Sequence, residues 1–263
     1  MNSRAAIAGE SPRISRWLIR LFALYNHYYL GRHFHSLRIL KNGWPKPDRP
    51  TVIFLNHASW WDPLVCMSLA RTFFPGRSSF APIDEQMLGR YRLFKRLGFF
   101  GIKPDSTSGA LAFIRSVDAI LSSPKNMLWL TPQGRFADAR ERPPRLRSGL
   151  GAIASRLTAA TFLPLAIEYT FWTEPKCEIL VSFGEPIVTR SVPARTPNEW
   201  TPMLARALEK AQDDLARAAE RREARDWTVL RGSSGIHADS SQPSFAREKQ
   251  EFSAVQQTSS IES

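Results

Sequence analysis

Apolar residues along this chain fall into two kinds of pattern. Short, mostly apolar runs at Thr51–Leu55, Met127–Leu130, Phe162–Tyr169 and Ile179–Phe183 predict strands buried on both faces. Between them lie stretches with the 3.6-residue period of a helix. One runs from about Pro63 to Thr72. A second starts at Ser108 as N-cap and reaches about Leu121, with Leu111, Ile114, Val117, Ala119 and Leu121 apolar. A third runs from Glu199 to Trp227, placing Trp200, Met203, Leu204, Leu208, Ala211 and Leu215 on one face and alternating charges elsewhere. Strands alternating with helices predict an α/β fold with a mixed, largely parallel central sheet covered by helices.

The chain begins and ends differently. Trp17, Leu18, Leu21, Phe22, Leu24, Tyr25, Tyr28 and Tyr29 form one broad helical stripe, with Arg16, Arg20 and His27 outside it. Such a stripe either packs on the protein's own core or lies in a lipid headgroup layer. Asn42-Gly43 and the stretch Pro45 to Pro50 close this segment. After Arg231 the composition turns to Gly, Ser and Gln with few aliphatics. The expected organisation is therefore an amphipathic, membrane-associating helical region over 1–44, one α/β domain over 45–231 and a disordered tail over 232–263.

Composition narrows the partner. The 263 residues carry 36 Lys+Arg against 24 Asp+Glu, a net charge of +12, and 16 Phe and 8 Trp supply enough apolar surface for a full core. Cys66 and Cys177 lack any metal-ligand or CxxC spacing and read as reduced thiols of a cytoplasmic protein. No apolar run of about 18 residues is free of charge, since Arg20 interrupts the nearest candidate, and no signal peptide is evident. A basic chain of this kind addresses an anionic partner, either nucleic acid or a lipid surface. Zinc spacing, an RNP-like aromatic strand and a recognition-helix pattern are all missing, so a nucleic-acid-binding module has only the charge in its favour.

Chemistry concentrates in Asn56-His57-Ala58-Ser59-Trp60-Trp61-Asp62, directly after the first buried strand. The carboxyl ends of strands in an α/β sheet are where such folds expose reactive groups. Five residues turn a regular helix through about 500°, so His57 and Asp62 meet only if a turn leads into the following helix. A carboxylate on one ring nitrogen fixes the tautomer and strengthens the other as a general base. The plainer alternatives are that Asp62 caps the helix continuing at Pro63 and that His57 is a loop histidine. Gly149-Leu150-Gly151-Ala152-Ile153-Ala154 fits a dinucleotide pattern but follows an Arg/Pro loop instead of a strand, and no P-loop, G-x-S-x-G or HExxH occurs.

The Asn56–Asp62 segment resembles the first block of the glycerolipid, or lysophospholipid, acyltransferase family, marked by Asn-His, four residues and Asp. Further blocks follow in the family's order: Leu97–Lys103 as the second, Thr131-Pro132-Gln133-Gly134-Arg135-Phe136 as the third, and Leu163-Pro164-Leu165-Ala166-Ile167 as the fourth. Arg147-Ser148-Gly149 resembles the Lys-x-Gly that commonly leads to the fourth block. Two departures stand out: Gln133 replaces the usual Glu, and Pro104 stands near the usual Arg, with Lys103 as its substitute.

The resemblance implies a membrane-associated O-acyltransferase of phospholipid biosynthesis with no cofactor and no metal. Acyl-CoA or acyl-carrier protein would be the donor and 1-acyl-glycerol-3-phosphate the acceptor; another lipid or glycolipid hydroxyl is the alternative. Catalysis would fall to His57 as base and Asp62 as its orienter. Substrate binding would fall to Asn56, Lys103, Gln133, Gly134, Arg135 and Arg147, with Arg135 a phosphate ligand by its planar fork. The expected partners are the thioester donor, the lysolipid and an anionic membrane, and no nucleic acid. The expected location is the cytoplasmic face of a membrane, peripheral or monotopic. A thioesterase or lipase using the same His is the competing enzyme class.

Overall fold

A computed structural model of the chain describes residues 14–44, 47–91, 93–103 and 106–232. In chain order the elements are α1 (Arg16–His33), β1 (Ser36–Leu40), β2 (Thr51–Leu55), α2 (Asp62–Phe73), β3 (Ser78–Asp84), α3 (Glu85–Arg90), α4 (Leu93–Arg96), β4 (Phe99–Ile102), α5 (Thr107–Leu121), β5 (Asn126–Leu130), α6 (Gly149–Arg156), β6 (Thr161–Thr170), β7 (Glu178–Phe183), β8 (Ile187–Val188), α7 (Pro197–Arg221) and β9 (Trp227–Gly232). The strands form one mixed sheet in the order β4-β3-β5-β2-β6-β7-β1-β9, with β8 beside β6. β4, β3, β5, β2 and β6 run parallel, and β7 turns back antiparallel to β6.

Alternation along β2 shows why the runs read as doubly buried. Ile53 and Leu55 face the layer holding α1 and α2, with Val65, Leu69, Leu30 and Phe34. Val52 and Phe54 face the opposite layer, with Val117 and Ile120 of α5, Leu150 and Ile153 of α6, and Trp200, Leu204 and Leu208 of α7.

Three sequence expectations change. The long helix ends at Arg221, not Trp227, because Arg222 takes a left-handed conformation (φ 53°) and the chain returns as β9. The segment expected to be only helical before residue 44 also contains β1, whose Arg38 is buried against Glu178 at 3.2 Å. Finally, α5 is capped by Ser106, whose hydroxyl accepts from the Gly109 N–H at 3.0 Å, one half-turn before the expected Ser108. The expected disordered tail lies, from residue 233 on, outside the described residues.

α1 lies across the sheet. Its cap residue Ser15 donates its backbone N–H to the Arg96 carbonyl at 2.9 Å, beside β4 at one edge. Mid-helix, Asn26 Nδ2 donates to the Leu64 carbonyl at 2.8 Å and to Ser68 Oγ at 3.1 Å on α2. From the helix end the chain passes directly into β1, near the other edge. At 1.5 Å per residue α1 is about 27 Å long, close to the roughly 29 Å of six strand spacings. Its aromatic stripe divides: Trp17, Leu24 and Tyr28 are 71, 65 and 69% exposed, while Leu18, Phe22 and Tyr29 are half-buried, Tyr29 against Trp61 at 5.3 Å between ring centroids. Among the described residues no helix is long and apolar enough to cross a membrane.

Candidate active site

β2 ends at Leu55, and the turn Asn56–Trp61 carries the chain into α2, whose first residue is Asp62. A backbone bond from the Asp62 N–H to the Ser59 carbonyl (3.1 Å) folds the turn back on itself. That fold brings Asp62 Oδ2 to 2.7 Å from His57 Nδ1. The same oxygen accepts the Ser59 N–H at 3.1 Å, while Oδ1 accepts the Tyr169 hydroxyl at 2.7 Å. Asp62 is 1% exposed and the His57 side chain 20%. A buried acceptor on Nδ1 selects the tautomer with its proton there and leaves the Nε2 lone pair to meet a substrate. Phe136, largely exposed, lies over the imidazole with ring centroids 4.3 Å apart.

The backbone of His57 is held on both sides by the loop after β5. Its N–H donates to Gln133 Oε1 at 2.9 Å, and its carbonyl accepts the Ala137 N–H at 2.8 Å. Asn56 secures the turn from the other neighbour strand: its Nδ2 donates to the Ile167 carbonyl at 2.8 Å and its Oδ1 accepts the Ile167 N–H at 2.9 Å. Asn56 and Gln133, expected at the substrate, are both buried and brace the turn that carries His57. Gln133 Nε2 is buried without a partner among the described residues. The Ser59 hydroxyl accepts the Trp61 N–H at 3.3 Å, a bond at the start of α2.

The remaining candidates sit around this centre. Gly134 has φ 65°, and a Cβ there would lie 2.5 Å from Arg147 Nε, so glycine is what lets the Arg147 side chain lie over the loop. Arg135 is closed onto Glu141 by two bonds of 2.6 and 2.8 Å, and the guanidinium holds the Glu141 carboxyl below its ordinary range. Arg140 pairs with Asp138 and Arg142 with Asp213. Lys103 follows β4 and reaches Glu85 at 3.3 Å, beside an open cleft that Asp84, Gln86 and Ser106 also line. Because β4, β3, β5 and β2 are parallel, Lys103 shares the carboxyl edge of the sheet with His57, but three strand spacings away, about 14 Å.

The two cysteines take no part. Burial pushes the Cys66 thiol well up and the Cys177 thiol up to about 11, so neither offers a thiolate at neutral pH. Among the described residues no group of three or more metal-ligating side chains converges. Sequence reasoning missed Tyr169 as part of this site and gave Ile167 and Phe136, members of the fourth and third blocks, no role in it. Phe136 ends the third block and was within reach; nothing local to Tyr169 marks a partner 107 residues away.

A family model described as Acyltransferase matches residues 33–168. Among solved structures the chain is similar to the 1-acyl-sn-glycerophosphate (LPA) acyltransferase PlsC from Thermotoga maritima, at 15% identity and a TM-score of 0.51, covering 74% of this chain and 80% of that one. No curated protein matches.

Proposed function

Because the chain belongs to the Acyltransferase family, whose model spans more than half of it, we propose that it transfers a fatty acyl group from a thioester, acyl-CoA or acyl-carrier protein, to a lysophospholipid hydroxyl at a membrane surface. The acceptor we assign is 1-acyl-glycerol-3-phosphate. The observation that carries this reading is the His57 Nδ1–Asp62 contact at the carboxyl end of β2, with Asp62 buried and His57 open on its other side.

In this mechanism His57 Nε2 takes the proton of the acceptor hydroxyl as its oxygen bonds to the thioester carbonyl carbon. Asp62 stabilises the resulting imidazolium. The tetrahedral intermediate then collapses with breakage of the C–S bond, and the Nε2 proton passes to the departing sulfur. No acyl-enzyme forms. The oxyanion requires donors at about 2.7 to 3.1 Å. In the loop after β5 the Gly134 N–H is committed to Thr131 and that of Ala137 to His57. The intervening amides of Arg135 and Phe136 have no backbone acceptor of that kind among the described residues and are the donors we assign. Arg135 and Arg147 supply the cationic surroundings for the acceptor phosphate, with Lys103 on the same sheet edge.

The exposed stripe of α1 and its flanking Arg16 and Arg20 support peripheral or monotopic attachment to the cytoplasmic face of an anionic membrane. One observation favours a second acceptor class, a lipid or glycolipid hydroxyl without phosphate: Arg135 is already closed onto Glu141. The test is mass spectrometry of products from the purified protein with acyl-CoA and acyl-carrier protein against a panel of lysolipids and glycolipids. A new ester in 1-acyl-glycerol-3-phosphate, lost in His57→Ala, is the expected result. Free fatty acid alone would make the protein a hydrolase, and an ester only in phosphate-free acceptors would establish the second reading.

A further inference from the structure

Tyr169 lies one residue beyond the stretch matched by the family model. On β6 it follows Ile167 by two positions, so the two residues stand on the same face of that strand. Ile167 holds Asn56, the first residue of the turn that carries His57, and Tyr169 holds Asp62, the helix residue that follows it. A single strand therefore clamps both ends of the catalytic turn.

The bond to Asp62 differs in kind from its neighbours. Oδ2 already serves His57 Nδ1 and the Ser59 N–H, both on the same side of the carboxylate. Held by Oδ2 alone, the carboxylate could pivot about its Cβ–Cγ bond; the Tyr169 hydroxyl on Oδ1 at 2.7 Å removes that freedom. The phenol ring is itself fixed against Phe34, at 5.7 Å between centroids, and Phe34 is packed edge-on against Trp61 at 4.9 Å. Donation to Oδ1 also withdraws negative charge from the carboxylate that faces the imidazole.

We propose that Tyr169 is a positioning residue for acyl transfer, one that sets both the orientation of the Asp62 carboxylate and the share of its charge felt by His57. This rests on His57 serving as the general base. Burial, and next the charge of Asp62, push the Tyr169 phenol well above its ordinary range, so it remains a donor wherever the protein is folded. The other titratable groups facing this pair are Cys66 of α2 and Cys177 at the entry to β7, both kept protonated by burial.

Tyr169→Phe deletes the donor and keeps the ring. Its kcat is expected to fall by about tenfold, as for the loss of one hydrogen bond to a charged group, with KM for both substrates within about twofold. With more of the carboxylate charge directed at the imidazolium, the acid limb of the pH profile of kcat/KM should move up by about half a unit. Nitrogen NMR of the His57 ring, assigned by its loss in His57→Ala, should show the same upward move without any turnover. Placing 3-fluorotyrosine at 169, a stronger donor of nearly the same shape, should move both downward, and it covers the case in which Tyr169→Phe does not fold.

Unchanged kcat and pH profile in Tyr169→Phe would overturn the proposal. So would a fall in kcat with the acid limb and the His57 titration unmoved, which would leave Tyr169 a packing residue only. If the wild-type protein makes no ester on any acceptor, the acyl-transfer reading fails while the NMR titration still decides the role of Tyr169.

Discussion

Replacing Asp62 with Asn removes one charge while retaining nearly the same shape. In the native site the carboxylate accepts from His57 Nδ1 at 2.7 Å, the Ser59 N–H at 3.1 Å and the Tyr169 hydroxyl at 2.7 Å. The Ser59 amide can only donate, so it forces the new carboxamide to present its oxygen on the Oδ2 side, where it still accepts from His57. The NH₂ group then points at Tyr169, whose hydroxyl can accept as well as donate. Tautomer and geometry therefore survive, and what is lost is the stabilisation of the imidazolium.

Two unit charges at roughly 4 Å, between ring and carboxylate centres, attract by about 4 kcal/mol at an effective dielectric of about 20. The neutral hydrogen bond that remains returns about 1 kcal/mol. A net loss of roughly 3 kcal/mol lowers kcat by about 10², at 1.36 kcal/mol per tenfold. Losing an anion beside the imidazole disfavours its protonated form, so the acid limb of the profile should move to lower pH, opposite to the Tyr169→Phe variant. Release of free thiol from an acyl thioester, followed across pH with an unchanged circular dichroism spectrum, measures both. A kcat within twofold of wild type, or an acid limb that rises, would refute the assignment of Asp62 as the orienting carboxylate.

Asn56→Ala leaves the Ile167 N–H and carbonyl unpaired in the core, a loss of about 2 to 4 kcal/mol, which thermal unfolding should show as a fall in Tm of several degrees. A Tm within about a degree of wild type would show that the Asn56 bridge contributes little. Arg135 holds the Glu141 carboxyl below its ordinary range, so both groups are charged in a neutral assay and Glu141 competes with an acceptor phosphate for the guanidinium. Glu141→Gln should therefore lower KM for a phosphate-bearing acceptor several-fold and Arg135→Ala raise it by about tenfold; no change in either would remove Arg135 from the acceptor site. Flotation on vesicles should require anionic lipid, fall with salt, since each basic side chain contributes about 1 kcal/mol, and be lost in the double variant Trp17→Glu, Leu24→Glu. Equal binding to neutral vesicles at high salt would contradict this.

Local pattern made some of this legible and long-range pairing hid the rest. β2 occupies the very residues read as a strand, because Thr51 and the four apolar residues after it leave no other period. The end of α7 was not legible: Arg222 adopts the left-handed conformation that glycine usually signals, and Trp227 continues the apolar spacing of the helix before it. β1 was hidden by Arg38, whose charge is met by Glu178 from a strand 140 residues away. In the site, the His57–Asp62 spacing is a local signal and was readable. Gln133 and Asn56 were readable as members of the site but not as braces, since their partners, the His57 amide and Ile167, become neighbours only when β5 and β6 flank β2.

Of the nine described strands β1 is synthesised first, yet it is closed last. It sits between β7 and β9, so its edges are satisfied only by Glu178–Phe183 and then by Trp227–Gly232. At about 5 to 20 residues per second, the roughly 140 residues between β1 and β7 take something like 7 to 30 s to emerge from a ribosome. During that interval Leu37, Ile39 and Leu40 form an unpaired apolar edge, directly behind a helix whose Trp17, Leu24 and Tyr28 also face outward. Translation that stalls between Phe183 and Trp227 thus leaves β1 with one neighbour and an open side.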